Sequence, residues 1–336
     1  MLMRVYRLCK IGSAILLAGL SIVLLVTSSS PAQTWPTKPV SVLVVFGPGG
    51  SSDSMVRVLA SKADKLLGQP ISVENNGGGG GTVGLGIIAR VKPDGYRIAQ
   101  CVSIGLIGIP QFRAVTYTLD DFIPIMQFAA GETGLVVRAD APFKTLKEFV
   151  EYAKKNPGKV TYSTTSIGST THLVMEYIGK KEGITWTHVP FPGNAECLTA
   201  LLGGHVTAVS GDTIWIPYVK DGTLRLLGNH GEKRMKSFPN VPTFREQGYD
   251  YVNPTTYLFV APKGTPQPVV KKLEDAFHKA MDDPDFIRVC DQLNNPIVYR
   301  NSEDTLKFLK QQYVAIGKMI RDFNIPTELN KVPTKK

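Results

Sequence analysis

The feature that most constrains the fold is an uninterrupted apolar segment, residues 40–46 (VSVLVVF), which ends at a run of glycine and serine residues. Continuous β-branched segments of this kind are typical of strands buried on both faces of a parallel sheet. Apolar residues then recur at helical spacing until Gly68, and short strands near residues 71–73 and 96–101 alternate with a helix over residues 82–91. This βαβαβ order predicts a parallel sheet with helices on both faces.

The same alternation starts again after a break. Strands are predicted at residues 134–138, 160–163, 186–189 and 206–209. A helix between the first two begins with the capping pair Thr145 and Glu148. The chain of 336 residues is longer than one hydrophobic core usually spans. The sequence therefore predicts two α/β lobes.

Residues 1–32 are not expected to belong to the fold. Three basic residues precede an apolar stretch over residues 11–26, and small residues follow up to Ala32. This order is that of a secretory signal peptide, so we expect a periplasmic protein that is cleaved near Ala32. A permanent membrane anchor is the alternative, but the apolar stretch is shorter than the ~20 residues that comfortably span a bilayer.

Charge and cysteine content limit the partners. The net charge of +10 becomes +7 when three basic residues leave with the signal peptide. The remaining basic residues are dispersed and none of their runs is interleaved with aromatic residues, so nucleic acid is not an expected partner. Cys101, Cys197 and Cys290 are widely spaced and form no zinc pattern. We expect them to be buried apolar side chains, with a single disulfide as the alternative.

Two loops have the form of an anion-binding site. In open α/β sheets, ligands bind beyond the carboxyl ends of the strands, where helices begin and expose unpaired backbone N–H groups. The candidate residues of the first loop are Phe46, Gly47, Pro48, Gly49, Gly50, Ser51, Ser52 and Asp53. Its glycines allow the backbone to come close to a ligand. The alternative is a tight turn whose serine or aspartate only caps the next helix.

The second loop, residues 164–172, belongs to the other predicted lobe and is rich in hydroxyl groups. Its candidate ligand contacts are Thr165, Ser166, Gly168, Ser169, Thr170 and His172. The alternative is a polar connection in which His172 lies on the helix face or caps it. Two such loops in facing lobes indicate a site that closes around a small anion.

The sequence gives no positive support for catalysis. Gly79, Gly81 and Gly84 match G-x-G-x-x-G, but no convincing acidic residue follows at ~20 positions, as a dinucleotide site requires. No H-E-x-x-H, G-x-x-x-x-G-K-[ST] or G-x-S-x-G motif occurs. We therefore expect no enzyme activity, no metal and no cofactor. A nucleotide-dependent exported enzyme is the alternative, and nucleotide binding would reveal it.

A set of ordered segments also resembles a known family. These segments are WPTKP (35–39), FGPGGSSD (46–53), VEN (73–75) with the glycines through 84, KPDGY (92–96), YSTTSIGSTTHL (162–173), VPF (189–191), LLGG (201–204), PNVPT (239–243) and APKGTP (261–266). In order and spacing they resemble the Bug family, the extracytoplasmic substrate receptors of tripartite tricarboxylate transporters. The resemblance extends from Trp35 to about Ile325.

The resemblance implies a type II periplasmic-binding-protein fold, in which two crossing strands join two α/β lobes around a ligand cleft. It places the crossings near residues 132–137 and 256–261. Lobe 1 then comprises residues 36–133 and 257–336, and lobe 2 comprises residues 134–256. By resemblance, both loops hold the carboxylate of a small organic acid, possibly an amino acid, partly through ordered water.

The resemblance also implies partners. They are the integral-membrane permease subunits of a transporter, to which a monomeric receptor delivers its ligand. A receptor that signals to a membrane kinase is the alternative, and the sequence does not separate the two.

This chain departs from the family pattern in places that bear on the ligand. The family usually has glycine where Ser166 stands, and Arg-Pro where Asn76 and Gly77 stand. The stretch around Asp212 is one residue shorter than usual. Asp212 is a candidate contact for a ligand amine, with helix capping as the alternative. These departures leave the identity of the ligand open.

Overall fold

Two mixed sheets, of six and five strands, organise the chain. The computed structural model describes residues 35–191, 193–231, 233–250 and 255–329. The predicted signal peptide lies outside the described residues. From Lys38 on, the chain forms one compact unit that contains both sheets. No helix among the described residues has both the length and the apolar character that crossing a bilayer requires.

The elements of the first half alternate as the sequence predicts. They are β1 Val40–Val44, α1 Ser51–Leu67, β2 Ile71–Asn75, α2 Thr82–Ile88, β3 Arg97–Val102, α3 Ser103–Ile107, α4 Ile109–Phe112 and β4 Phe122–Gly131. Gly68 ends α1 in the left-handed conformation, with φ of 74°. β1 pairs in parallel with both β2 and β3, which confirms the βαβαβ prediction for this part of the chain.

The second alternation forms the other sheet. Its elements are β5 Thr133–Arg138, α5 Leu146–Lys155, β6 Thr161–Thr164, α6 Thr170–Glu182, β7 Thr187–Pro190, α7 Asn194–Leu202, β8 Ala208–Asp212, α8 Ile216–Lys220 and β9 Leu224–Asn229. The strand order is β7-β6-β8-β5-β9. The predicted cap is present, because the N–H of Glu148 donates to the Thr145 hydroxyl at 3.1 Å.

The chain then returns to the first sheet. The remaining elements are β10 Thr255–Pro262, α9 Gln267–Ala280, α10 Pro284–Leu293, β11 Ile297–Arg300 and α11 Ser302–Asp322. The first sheet has the order β11-β4-β10-β3-β1-β2, and β10 is antiparallel to both β3 and β4. We call each sheet with its helices a lobe: the first lobe contains the six-stranded sheet and the second lobe the five-stranded one.

The crossings differ in detail from the expectation. Glu132 alone separates β4 in the first sheet from β5 in the second, so the first crossing lies at this residue. The segment 256–261, predicted as the second crossing, lies wholly within β10 and pairs only in the first sheet. The exact lobe boundaries given above stay a prediction.

Each lobe has an apolar core. In the first lobe, β1 is buried along its length, with Val40, Val42 and Val44 fully covered, which is why this strand reads as a continuous apolar segment. In the second lobe, Trp215 and Leu201 lie in a cluster that α7, α8 and three strands surround. Cys101, Cys197 and Cys290 are buried and free, as expected for apolar packing residues.

Candidate functional site

The N-terminus of α1 presents unpaired backbone donors at the carboxyl end of β1. Residues 47–50 are exposed, and Gly50 precedes the helix in an extended conformation without a side-chain cap. Among the described residues, none accepts a hydrogen bond from the N–H of Ser51, Ser52 or Asp53. Three N–H groups that point out of a 17-residue helix favour an anion at this position.

Asp53 differs from the other residues of this loop, because its carboxylate is turned into the protein. One oxygen accepts from the N–H of Gly49 at 2.9 Å, and the other accepts from Asn75 Nδ2 at 3.0 Å and Arg57 Nε at 2.9 Å. Asn75 also donates to the carbonyl of Phe46 at 3.2 Å. The network therefore fixes the loop at both ends. Direct contact between Asp53 and a ligand stays a prediction, and the role observed here is positioning.

Electrostatics agree with this arrangement. Burial alone would raise the pKa of Asp53, but the hydrogen bonds from Arg57, Gly49 and Asn75 outweigh burial and hold this pKa below its ordinary value. The carboxylate is therefore ionised over the whole physiological range. The ion pair with Arg57 compensates the negative charge of Asp53, so this charge does not repel an anion at the helix terminus.

The second loop ends in a helix that is capped from within. Ser169 accepts the N–H of His172 at 3.2 Å, and its hydroxyl donates to the carbonyl of Ser166 at 2.9 Å. His172 Nδ1 accepts the N–H of Gly168 at 3.2 Å. The hydroxyl of Ser169 and the ring of His172 thus already have internal partners, as the capping alternative supposed. Thr165 and Ser166 remain partly exposed, and a ligand contact by these residues stays a prediction.

Residues of the two lobes approach each other at this loop. A Cβ atom built at Gly80 of the first lobe would lie 3.4 Å from Ser166 Oγ and 2.6 Å from Ile109 Cδ1. Gly80 has φ of +68°, so glycine is required here both for the backbone and for the close approach. The glycine cluster of residues 77–81 is therefore a contact between lobes, and its match to G-x-G-x-x-G needs no nucleotide to explain it.

Phe112 of the first lobe covers the same loop from the other side. It is fully buried, packs against Gly168 and meets the His172 ring edge-on at 5.9 Å between centroids. No motif around Phe112 signals this contact in the sequence. The contact shows that the second-lobe loop is shaped partly by a first-lobe aromatic side chain.

We expect Gly168→Ala to lower the free energy of unfolding by about 2 kcal/mol, through left-handed strain together with overpacking. Gly168 has φ of +81°, and a Cβ atom there would lie 3.0 Å from Phe112 Cγ. Gly183→Ala is the matched control, because Gly183 has φ of +67° with no atom within 4 Å. Its expected cost is about 1 kcal/mol. Equal losses for the two variants in urea unfolding would contradict the packing contact.

A cavity of about 170 Å³ lies behind the loop. It is lined by Ile167, His172, Glu176, His188, Pro326, Thr327 and Glu328. Burial lowers the pKa of His172 to about 3, with a further contribution from His188, and burial lowers the pKa of His188 to about 4. Both rings are neutral at physiological pH. Among the described residues, no group of three or more His, Cys, Asp or Glu is arranged to hold a metal ion.

Tyr257 connects the first loop with Asp212. Burial raises the pKa of Tyr257 well above its ordinary value and the nearby Asp212 raises it further, whereas hydrogen bonding from Asn295 and Ser51 lowers it. The ring also lies against Gly131 at the end of β4. Asp212 pairs with Thr133, two residues after Gly131, so it lies near the same aromatic side chain. No local signal in the sequence marks Tyr257, because it lies inside an apolar strand.

Asp212 itself caps a short 3₁₀ turn, as one of the two alternatives supposed. Its Oδ1 accepts the N–H of Thr213 at 2.8 Å. The Thr213 hydroxyl donates to the carbonyl of Leu293 in the first lobe at 2.9 Å. Asp212 therefore lies where the two lobes meet.

The sequence of this chain matches a known protein family and is similar to relatives of known sequence. Residues 55–325 match the family model described as "Tripartite tricarboxylate transporter family receptor". The chain is similar to the UPF0065 protein in the gbd 5′ region of Cupriavidus necator, with 40% identity over 297 residues that cover 87% of this chain and 90% of that one.

Solved structures agree. The chain is similar to the periplasmic binding protein BugD, with 29% identity, a TM-score of 0.77 and coverage of 87% of this chain and 99% of that one. It is also similar to MatC of Rhodopseudomonas palustris with bound malate, with 26% identity, a TM-score of 0.76 and coverage of 85% and 100%. The predicted two-lobed periplasmic-binding-protein fold is confirmed.

Proposed function

Because this chain belongs to the tripartite tricarboxylate transporter receptor family, we propose that it captures a small carboxylate between its lobes in the periplasm, performs no chemistry on it, and delivers it to the permease subunits of a membrane transporter. Malate, which MatC binds in its solved structure, belongs to this class of ligand. The relatives described as periplasmic binding proteins support the proposed location. The signal-peptide pattern of residues 1–32 supports it independently.

The observation that carries the proposal is the open N-terminus of α1. Its three free N–H groups and the helix dipole supply a positive potential. Residues 46–53 and 164–172 contain no lysine or arginine. Backbone N–H groups and hydroxyl groups of these loops must therefore supply most of the hydrogen bonds to an anion. Such donors suit a carboxylate, and water between them and the ligand would let one architecture accept different acids.

Closure follows from the contribution of both lobes. Ser51 belongs to the first lobe and Ser166 to the second, so a ligand that touches both is bound more tightly when the cleft is shut. The shift toward the closed form can be no larger than the difference in affinity between the two forms. The closed surface is then the signal that the permease recognises.

The proposal is tested by the melting temperature of the purified protein with small mono-, di- and tricarboxylates, amino acids and nucleotides. A ligand at 100 times its Kd adds about 2.7 kcal/mol to stability, or about 5 °C for a chain of this size. A shift with one class of organic acid or amino acid supports the receptor. A shift with nucleotides alone would instead favour the enzyme alternative.

Replacing Ser51 with proline is expected to weaken binding of that ligand about tenfold or more, because it removes one backbone donor to a charged group. Proline is tolerated at the first helical position, and Gly50 already has the extended conformation (φ −81°, ψ 175°) that a residue before proline prefers. Ser51→Ala is the matched control, since it removes the hydroxyl but keeps the N–H. Calorimetry of both variants isolates the N–H group. Equal affinities would show that the helix terminus does not hold the carboxylate.

A further inference from the structure

One carboxylate in the cleft region has no cationic partner among the described residues. Asp212 ends β8, lies opposite Thr133 in the register of the second sheet, and is followed by Thr213, which bonds to the first lobe at Leu293. The residue is therefore placed at the junction of the lobes. It remains partly exposed there, whereas its neighbours Gly211 and Thr213 are buried.

The two oxygens of Asp212 are used differently. Oδ1 accepts the N–H of Thr213 at 2.8 Å and lies 3.4 Å from the Thr213 hydroxyl. In the described part of the chain, Oδ2 receives no hydrogen bond, and no lysine, arginine or histidine forms an ion pair with this side chain. Burial raises the pKa of Asp212, which the bonds from Thr213 only partly oppose. A carboxylate in this position gains from any cation that reaches it.

The carboxylates of Asp53 and Asp212 differ in how many of their oxygens have partners. Asp53 is more fully buried than Asp212, but it has Arg57, Asn75 and the N–H of Gly49 as partners. Capping by Oδ1 accounts for the helix-start role of Asp212 and leaves the second oxygen without a structural purpose. An asparagine or serine would cap as well without the cost of a partly buried charge.

Strand register places Asp212 and the N-terminus of α1 near the same aromatic side chain. The ring of Tyr257 lies against Gly131, two residues before Thr133, which pairs with Asp212. Tyr257 itself pairs with Val102 at the carboxyl end of β3, which neighbours β1, the strand that leads into α1. Unpaired N–H donors and an unpaired carboxylate thus both lie near Tyr257. A ligand that matches this arrangement carries a carboxylate and a cationic group a few bonds apart.

We propose that Asp212 binds the ammonium group of an α-amino acid whose carboxylate is held at the N-terminus of α1. The inference rests on the proposed function and narrows it from carboxylates in general to amino acids. Oδ2 takes the ammonium group as a hydrogen-bonded ion pair while Oδ1 keeps its bond to Thr213. Tyr257 lies between the two ends of the ligand.

The test uses pairs of acids that differ only in an ammonium or a hydroxyl group: aspartate and malate, glutamate and 2-hydroxyglutarate, alanine and lactate, phenylalanine and phenyllactate. Affinities of the purified protein are measured by calorimetry for the original chain, for Asp212→Asn and for Asp212→Ser. We expect at least a tenfold preference for the ammonium member of one or more pairs. Asp212→Asn should reduce that preference to less than threefold.

Both substitutions keep an oxygen that can cap the turn, so the melting temperature should change little. Asp283→Asn is the matched control, because Asp283 caps α10 by accepting the N–H of Asp285 at 2.9 Å, outside the cleft. It should leave the preference unchanged. Binding of hydroxy acids without an ammonium preference, or a preference that survives in both Asp212 variants, would overturn this inference and leave the receptor function intact. Failure of every acid and amino acid to bind would overturn both.

Discussion

Replacing Asp53 with alanine is expected to lower the free energy of unfolding by about 3 kcal/mol and to weaken ligand binding at least tenfold. The buried carboxylate accepts hydrogen bonds from Gly49, Asn75 and Arg57 at 2.9–3.0 Å. Its loss leaves the amide of Asn75 and the N–H of Gly49 without an acceptor, and removal of one partner from such a network typically costs a few kcal/mol. The loop that carries the free donors of α1 then loses its anchor.

Urea unfolding measures the stability change, and Asp275→Ala is the matched control. Asp275 also pairs with a basic residue four positions away in a helix, Lys271, but both side chains are mostly exposed. Its replacement should cost no more than about 0.5 kcal/mol. A loss for Asp53→Ala within that range would show that the network does not stabilise the loop.

Because the pKa of Asp53 is lowered in the folded state, the stability that this group contributes is present above its ordinary pKa and is lost as pH falls through the lower folded value.

The second large effect is expected in acid. Burial lowers the pKa of His172 and of His230 to about 3, so the folded protein does not protonate them until the pH is far below their ordinary pKa. The unfolded chain takes up these protons near pH 6.5, and the free energy of unfolding therefore falls as the pH falls below that value. Between pH 7 and pH 5 the loss amounts to about 2 kcal/mol for each of these two residues.

Glu132 acts in the opposite direction. Burial raises the pKa of Glu132 to about 7, and Lys236 partly opposes this shift. On acidification from pH 7, Glu132 therefore takes up a proton in the folded state before it does so in the unfolded chain. This uptake favours folding between pH 7 and the ordinary pKa of a glutamate.

The contribution of the histidines is therefore isolated with variants. His172→Gln and His230→Gln should each lose about 2 kcal/mol less than the original chain between pH 7 and pH 5. An unchanged loss in the two buried variants would show that these rings are protonated near their ordinary pKa.

Local patterns in the sequence predicted the elements that obey local rules. The β1 segment, the cap at Thr145 and the left-handed stop at Gly68 all depend on neighbours within a few residues, and the structure has each of them. β4 was missed. It lies second from the edge of the sheet, is buried along most of its length and contains Pro124, so it shows neither alternation nor a clear turn boundary. Antiparallel pairing of β4 and β10 joins residues more than 120 positions apart, which no local pattern signals.

The site shows the same limit. Both loops were found because a strand followed by glycine, serine and a helix is a local signal. Which residues of these loops turn inward could not be predicted from the sequence. The inward turn of Asp53 depends on Arg57 and on Asn75 from another strand. Likewise, Tyr257 and Phe112 act through contacts with the opposite loop, and neither lies in a motif. The residue types of a site can be predicted from the chain, whereas which of them face a ligand depends on tertiary contacts.

The strand order of the first sheet also determines when this protein can finish folding. β10 lies between β3 and β4, yet it follows them in the chain by more than 120 residues, and all five strands of the second sheet come before it. As the chain emerges from its N-terminus, the second sheet is complete while β3 and β4 still lack the strand that separates them. The edges of β3 and β4 that face β10 are then open to self-association until residue 262 has emerged. The late strand therefore exposes the nascent first lobe to aggregation for longer than the second lobe.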